Sequence, residues 1–285
     1  MYYNGSRYQE EVKDLLYYEK LINEDATEWV LFIHGLGGST KTWKYQMDRF
    51  SKEYNLLLVD LDGHGNSSQE EAVSPYKPTS TARLIDKILV HENIEKVHIV
   101  SLSLGTLIAL EYVRLYPEKV SSIVLAGGIV NLDRFRKIVF RIAKFTTAHF
   151  PVEQAYTLFA HIIMPFHKHK QSRDIFIREA KKLNQATFRK WVESVGKSND
   201  MLQNYVSIIK NYKIPTLFIS GKRDYLFLDG IKELCKKTKE FQFHALKDCG
   251  HVCSIEKSNL FNNLTLDFLD SIHPAKHKYA KMHIH

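Results

Sequence analysis

Residues 97–112 are Val-His-Ile-Val-Ser-Leu-Ser-Leu-Gly-Thr-Leu-Ile-Ala-Leu-Glu-Tyr. The β-branched residues at the start of this stretch predict a buried strand, and the apolar residues after Ser103 recur at helical spacing. We therefore predict a strand, a sharp turn at Ser103 and a helix. A serine on such a turn holds its hydroxyl clear of the sheet, beside the free backbone N–H groups at the start of the helix. Proteins present a nucleophile in this way.

The turn requires very small side chains two residues before and two residues after the serine, because strand and helix approach closely there. Ser101 and Gly105 occupy these positions, so the pattern is Ser-x-Ser-x-Gly where Gly-x-Ser-x-Gly is usual. Serine adds only a hydroxymethyl group and is an acceptable substitute. Two alternatives stay open. Ser101 could be the nucleophile, although a residue in the strand should point into packing, or the segment could be an ordinary strand and helix with incidental serines.

Length and composition predict one sizeable α/β domain with an insertion, or two small domains. The chain has 285 residues, of which 44% are hydrophobic and 25% are charged, as in soluble globular proteins. The first ten residues lack the basic start, apolar middle and cleavage site of a secretory signal, and no apolar run is as long as a membrane span. Three cysteines do not make a disulfide framework. We therefore expect a cytoplasmic protein.

The net positive charge of the chain comes from its middle segment. Residues 131–205 contain fourteen Lys and Arg against six Asp and Glu, an excess that equals the net charge of +8 of the whole chain. Such a segment could attract anionic lipid headgroups, acidic substrates or nucleic acid, and the alternative is a solvated helix face. No nucleic-acid-binding motif accompanies it. We expect no nucleic-acid partner and, at most, a weak contact of this basic region with an anionic membrane or interface.

Apolar runs alternate with helical patterns along most of the chain. The predicted strands cover residues 29–34, 55–60, 97–102, 120–126, 215–220 and 241–246. Continuous apolar strands separated by helices predict a mostly parallel sheet with helices on both faces. After Gly128 the strand pattern gives way to four successive helical patterns before it resumes. The predicted organisation is a core in two parts (1–130 and 206–272), a helical lid (131–205) and a frayed basic tail (273–285).

Two polar residues follow the last two predicted strands. A serine hydroxyl is a poor nucleophile at neutral pH and needs a base within hydrogen-bonding reach, which is itself oriented by an acid. Asp224 follows the strand at 215–220, and His251 follows the strand at 241–246. Loops after parallel strands converge at one edge of the sheet, where ligands bind. Ser103, Asp224 and His251 are therefore predicted to meet at that edge.

Five motifs resemble those of the α/β-hydrolase family, and the resemblance covers approximately residues 29–269. The motifs are His34-Gly-Leu-Gly-Gly, Asp60-Leu-Asp-Gly-His-Gly-Asn-Ser, Ser101-Leu-Ser-Leu-Gly, Gly221-Lys-Arg-Asp and Gly250-His. The order of the candidate serine, aspartate and histidine along the chain is also that of this family. The resemblance implies an α/β-hydrolase fold with the helical lid inserted where the family places it.

The resemblance also implies roles for individual residues. Ser103 would attack a carbonyl carbon, His251 would take its proton and return it to the leaving group, and Asp224 would orient the imidazole. The backbone N–H groups of Leu36 and Leu104 would form the oxyanion hole. No cofactor is implied.

Other residues compete for the acid and base roles. Asp133 is the runner-up acid, because some family members carry the acid after the strand before the lid, and Asp229 or Asp248 could also serve. His34 and His64 are interpreted as loop residues that shape the site without taking protons.

A metal site is a weaker hypothesis. Cys249, His251 and Cys253 lie close together in the sequence, with His244 nearby. The spacing Cys-x-His-x-Cys is unusual for zinc and has no second pair of ligands, so we expect no metal.

The resemblance predicts a serine hydrolase that forms an acyl-enzyme from a small-molecule ester. Haloalkane dehalogenases and epoxide hydrolases of this fold have aspartate at the elbow, where this chain has Ser103. The menaquinone-pathway member has an arginine after the elbow, where this chain has Thr106 and Leu107. Hydrolysis of a C–C bond, lactone or thioester by the same residues stays open, and so does a ligand sensor with little turnover. The oligomeric state is left open.

The predicted lid is rich in aromatic residues. They include Phe135, Phe140, Phe145, Phe150, Tyr156, Phe159, Phe166, Phe176, Phe188 and Trp191. Most are expected to pack between lid and core. The others are predicted to line a pocket for an apolar acyl chain or a small hydrophobic ester.

Overall fold

A computed structural model of the chain describes residues 7–8, 15–67, 76–131 and 133–272. These residues contain β1 (Arg7–Tyr8), β2 (Tyr18–Leu21), β3 (Trp29–Ile33), β4 (Asn55–Val59), β5 (Val97–Leu102), β6 (Val120–Ala126), β7 (Thr216–Gly221) and β8 (Gln242–Leu246). The strands form one sheet in the order β1-β2-β4-β3-β5-β6-β7-β8. The pairs β1–β2 and β2–β4 are antiparallel, and all the others are parallel.

Helices connect the strands. They are α1 (Lys44–Phe50), α2 (Pro78–His91), α3 (Leu104–Leu115), α4 (Arg134–His149), α5 (Val152–Ile163), α6 (Lys170–Ala180), α7 (Gln185–Gly196), α8 (Asn199–Asn211), α9 (Leu228–Lys237), α10 (Cys253–Glu256) and α11 (Ser258–Ile272). Short 3-10 turns lie at Thr40–Trp43, Pro117–Lys119 and His167–His169.

The central strands are buried because helices cover both faces of the sheet. β4, β5 and β7 are buried along their whole length. The chain passes from β3 outward to β4, then returns past β3 to β5 and continues in the opposite direction. Right-handed crossovers in opposite directions place their helices on opposite faces. Accordingly, α1 packs against α11, and α2 packs against α3. The mostly parallel α/β sheet predicted from the continuous apolar strands is confirmed.

The edge of the sheet at β1 and β2 was not predicted. The sequence pattern predicts no strand before Trp29, because Tyr18–Leu21 is short and includes Glu19 and Lys20. The structure pairs β2 with β4, opposing Tyr18 to Val59. Backbone hydrogen bonds to a neighbouring strand, which no local pattern reports, therefore make this segment a strand.

Five helices separate β6 from β7. The last of them, α8, packs against α3 in the core, and we call the other four, α4 to α7, the helical insertion (134–196). Within it α4 packs against α5 and α7, and α5 packs against α6. The predicted boundary at 205 falls inside α8, and the predicted tail 273–285 lies outside the described residues. Across the described ranges, no helix is both long and apolar enough to cross a membrane.

Candidate active site

Ser103 lies in the turn between β5 and α3, with φ of 52° and ψ of −115°. A positive φ is strained for a residue with a side chain, and strain of this kind is typical of functional sites. The surrounding structure holds the turn in place. The Ser103 N–H donates to the carbonyl of Ala126 at 2.9 Å, and the Ser103 carbonyl accepts from Thr106 Oγ1 at 2.6 Å.

The residues two before and two after Ser103 explain how the chain turns so sharply. A Cβ atom on Gly105 would overlap the carbonyl oxygen of Ile33 and would lie 2.7 Å from that of His34, so only glycine fits there. Ser101 is buried in β5, and its Oγ donates to the carbonyl of Val124 at 3.1 Å. The alternative nucleophile is therefore engaged inside the sheet, whereas Ser103 is only half-buried.

The loop after β3 runs beside Ser103. A Cβ atom on Gly35 would lie 3.2 Å from the Cβ of Ser103. Among the described residues, neither the Leu36 N–H nor the Leu104 N–H has a hydrogen-bond acceptor. Leu104 is the first residue of α3, where free N–H groups carry partial positive charge. These two donors next to a serine hydroxyl are suited to bind a negatively charged oxygen.

His251 and Asp224 form a buried pair. His251 Nδ1 lies 2.9 Å from Asp224 Oδ2, and both side chains are almost completely buried. The carboxylate accepts two further hydrogen bonds of 3.3 Å each, from Ser220 Oγ at Oδ2 and from the Phe227 N–H at Oδ1. Because the carboxylate is held on several sides, it fixes the ring and keeps a proton on Nδ1.

The ring of His251 lies beside the turn that carries Ser103. A Cβ atom on Gly127, which has φ of 53°, would lie 2.9 Å from His251 Cε1. Gly127 directly follows Ala126, the residue whose carbonyl accepts from the Ser103 N–H. His251 Nε2 is buried without a hydrogen-bond partner in the described part of the chain, so no bond joins it to Ser103 Oγ in this structure. Catalytic hydrogen bonds are often long in enzymes without substrate and tighten when it binds.

The alternative acids lie elsewhere. Each of them pairs with a basic side chain: Asp133 with Arg136 at 2.8 Å, Asp229 with Lys232 at 3.4 Å and Asp248 with Arg223 at 2.5 Å. Asp133 also caps α4 by accepting from the Arg136 N–H. Of the carboxylates described, Asp224 is the one that hydrogen-bonds to His251.

His34 joins two loops of the site. Its Nε2 accepts from the Leu61 N–H at 3.0 Å, so its proton lies on Nδ1, which donates to the carbonyl of Gly35 at 2.8 Å. Burial holds the pKa of His34 well below its ordinary value and lowers the pKa of His64 to about 4. Both rings are therefore neutral near pH 7, and His34 acts as a brace between the loops.

Tyr156 of α5 is part of the site, although the sequence predicts it only as one of the aromatic residues of the lid. Its hydroxyl donates to the carbonyl of Leu36 at 2.8 Å. Burial raises the pKa of Tyr156 well above its ordinary value, so the hydroxyl keeps its proton and remains a donor. Tyr156 and Leu36 are 120 positions apart in the sequence, so no local pattern could have revealed this hydrogen bond.

The helical insertion is attached to the loops at this edge of the sheet. Three of its side chains donate to loop carbonyls: Tyr156 to Leu36 at 2.8 Å, Trp191 to Asp62 at 3.1 Å and Arg136 to Leu226 at 2.5 Å. These loops follow β3, β4 and β7. The insertion therefore covers the edge at which Ser103, Asp224 and His251 lie.

The described residues contain no group of three or more His, Cys, Asp or Glu arranged to hold a metal ion. The thiol of Cys253 instead contacts the carbonyl of Ile219 at 3.7 Å, and that of Cys249 contacts the carbonyl of Gly250 at 3.6 Å.

Comparison with known proteins identifies the family of this chain. Residues 28–258, most of the chain, match the family described as alpha/beta hydrolase fold. The chain belongs to this family. The resemblance seen in the five motifs and the predicted fold are thereby confirmed, and the protein is an alpha/beta hydrolase.

Three similar proteins illustrate the range of this family. The chain is 26% identical over 271 residues to the 2-hydroxy-6-oxononadienedioate/2-hydroxy-6-oxononatrienedioate hydrolase of Klebsiella pneumoniae, across 86% of this chain and 88% of the relative. It is 24% identical over 256 residues to a putative 2-succinyl-6-hydroxy-2,4-cyclohexadiene-1-carboxylate synthase of Bacillus subtilis, across 87% and 92%. A carboxylesterase structure from Nitrososphaera gargenis has the same fold, with a TM-score of 0.78 and 20% identity across 91% of this chain and 95% of that one.

Proposed function

We propose that this alpha/beta hydrolase is a serine esterase that cleaves small carboxylic esters with an apolar acyl group. One observation carries the proposal. Ser103 lies in a turn with positive φ, beside the N–H groups of Leu36 and Leu104, which have no acceptor among the described residues, and the buried His251–Asp224 pair lies next to this turn. A nucleophile, a base with an orienting acid and donors for an oxyanion are the parts that acyl transfer needs.

The proposed reaction has two halves. Ser103 Oγ attacks the carbonyl carbon while its proton moves to His251 Nε2, and the oxygen that becomes negative accepts from the Leu36 and Leu104 N–H groups. Collapse of this intermediate breaks the C–O bond, and the proton passes from Nε2 to the leaving alcohol. Water then attacks the acyl-serine with its proton going to Nε2, which releases the acid and returns the proton to Ser103.

Aromatic side chains support an apolar acyl group. Phe176 Cζ would lie 3.8 Å from a Cβ atom on Gly35, so its ring faces the loop beside Ser103. It stacks on Tyr156 with ring centroids 6.1 Å apart, and Phe159 and Phe188 extend the cluster. An aromatic cluster beside the serine favours hydrocarbon over a charged or strongly hydrated group.

Hydrolysis of a C–C bond is the second candidate, favoured by the similarity to the Klebsiella pneumoniae hydrolase over 86% of this chain. The 2-hydroxy-6-oxononadienedioate in the name of that relative contains a ketone and two carboxylates but no ester. Its hydrolysis therefore breaks a carbon–carbon bond, and Ser103, His251 and the two N–H donors could serve that reaction as well.

A substrate panel distinguishes the two candidates. We expect kcat/KM for p-nitrophenyl esters to rise at least about tenfold from acetate to hexanoate, because each buried CH2 contributes about 0.8 kcal/mol. A preference for acetate, with no gain on lengthening, would contradict the apolar pocket. Faster turnover of 2-hydroxy-6-oxononadienedioate than of every ester would establish the second candidate instead. Labelling by a fluorophosphonate without repeated turnover of any substrate would indicate a sensor.

Tyr156→Phe tests whether the helical insertion positions the oxyanion hole. Loss of the hydroxyl leaves the Leu36 carbonyl without its donor from α5, so the adjacent Leu36 N–H is held less firmly. We expect kcat for esters to fall about fivefold while KM changes less than about twofold, since a hydrogen bond of this kind contributes about 1 kcal/mol.

Tyr205→Phe is the matched control. Tyr205 is a buried tyrosine of α8, which lies outside the helical insertion. It should keep the kcat of the unmodified protein. Equal kcat in both variants would show that Tyr156 only fills space.

A further inference from the structure

The outer face of α4 carries a stripe of apolar side chains that the fold does not use. Phe135, Ile138, Ile142 and Phe145 are 53%, 50%, 44% and 59% exposed. Their spacing of three and four residues places them on one face of the helix. Phe150, just after the helix, is also exposed. A contiguous row of large apolar side chains in water is costly and marks an interaction surface.

A second stripe on the same helix is basic. It consists of Arg134, Lys137, Arg141 and Lys144, all exposed. At about 100° per residue, these four side chains form a separate exposed face of the helix, next to the apolar stripe. Lys144 pairs with Glu193 at 3.3 Å, and the other three make no ion pair within the described residues. The sequence of α4 contains no Asp or Glu.

The remaining face of α4 holds the helix on the protein. Val139, Phe140 and Ala143 are buried, and α4 packs against α5 and α7. The helix therefore has three distinct faces: one packed, one apolar in water and one cationic in water. Of the basic stripe, Lys144 also joins α4 to α7 through its ion pair with Glu193.

We propose that the outer face of α4 docks onto an anionic lipid surface. A helix lying in the plane of such a surface buries its apolar side chains at the boundary of headgroups and acyl chains and places Lys and Arg against the anionic headgroups. Both stripes are then satisfied by one partner. A second copy of this chain offers no such match, because two α4 faces would bring cations against cations.

This docking would place the candidate site at the membrane. α4 begins at the same edge of the sheet as the site, and Arg136 in its first turn donates to the carbonyl of Leu226, two residues after Asp224. The inference concerns the outer surface of the insertion and does not depend on the chemistry of Ser103.

Co-sedimentation of the full chain with vesicles tests the proposal. We expect binding to phosphatidylcholine vesicles containing about 30% phosphatidylserine, and at least about tenfold weaker binding to phosphatidylcholine alone. Lys137→Gln/Arg141→Gln should lower binding about 25-fold, because each basic residue contributes about fivefold at such a surface. Phe135→Ser/Phe145→Ser should lower it at least about tenfold.

Two variants serve as matched controls. Lys236→Gln/Lys239→Gln removes two exposed charges near the end of α9, outside α4. Val90→Ser/Leu260→Ser removes two exposed apolar side chains from α2 and α11. Both should bind like the unmodified protein, and all four variants should keep its unfolding temperature. The proposal is overturned if the unmodified protein does not bind phosphatidylserine vesicles. That result is expected if the α4 surface binds an acidic protein instead. The proposal is also overturned if the control variants lose as much binding as the α4 variants.

Discussion

Ser103→Ala is expected to lower kcat for ester hydrolysis by at least about 10⁴-fold and to abolish labelling by a fluorophosphonate. Alanine removes the oxygen that attacks the substrate's carbonyl carbon in the proposed mechanism, whereas the N–H donors of Leu36 and Leu104 remain. The fold should persist, because the contacts that hold the turn are made by the backbone of Ser103. Steady-state kinetics and a labelled gel, with circular dichroism as a check on folding, measure this.

Ser101→Ala is the matched control. It removes a hydroxyl two residues away, whose partner is the carbonyl of Val124 inside the sheet. We expect full labelling and a change in kcat of less than about threefold, with a small loss of stability from the missing hydrogen bond. If labelling persisted in Ser103→Ala and disappeared in Ser101→Ala, the nucleophile would be Ser101, and the proposed mechanism would be wrong.

Asp224→Asn should lower kcat about 10⁴-fold without unfolding the protein. The Phe227 N–H donates to Oδ1 and therefore selects the amide oxygen at that position. The NH₂ group is then placed at the Oδ2 position, opposite His251 Nδ1. An amide donor there forces Nδ1 to accept, so the proton of the neutral ring moves to Nε2 and the base is lost. The loss should appear in kcat at every pH between about 6 and 9.

Asp133→Asn is the corresponding control, since Asp133 is the alternative acid and is 52% exposed on its side chain. Its amide oxygen can still cap α4, so we expect kcat to change less than about threefold. A large loss in Asp133→Asn together with a small loss in Asp224→Asn would reassign the orienting acid. That outcome would also require His251 to change partner during the reaction.

Much of the fold was predictable because its signals are local. A continuous apolar run such as 120–126 predicts a strand that is buried on both faces of the sheet. The spacing of Leu84, Ile85, Ile88 and Leu89 predicts one apolar face of a helix. The turn at Ser103 was predictable for the same reason, since its requirement for small residues involves positions 101 and 105 alone.

The site was predictable only in part. Asp224 and His251 follow neighbouring strands, so the sequence predicts that both lie at one edge of the sheet. In the structure, His251 Nδ1 lies 2.9 Å from Asp224 Oδ2. Their catalytic roles remain predictions until the variants above are measured. The bond from Tyr156 to Leu36 and the brace formed by His34 were not predicted, because each joins segments that are distant in the sequence.

By itself, the sequence determined most of the order of strands and helices, the strained turn and which polar residues follow which strands. These depend on side-chain size, polarity and periodicity, which each segment carries with it. Only the tertiary structure decided that β2 joins the sheet, that α8 packs with the core, and that α5 reaches the loop beside Ser103. It also decided which face of α4 is left in water, because burial depends on what packs against a helix as well as on its own residues.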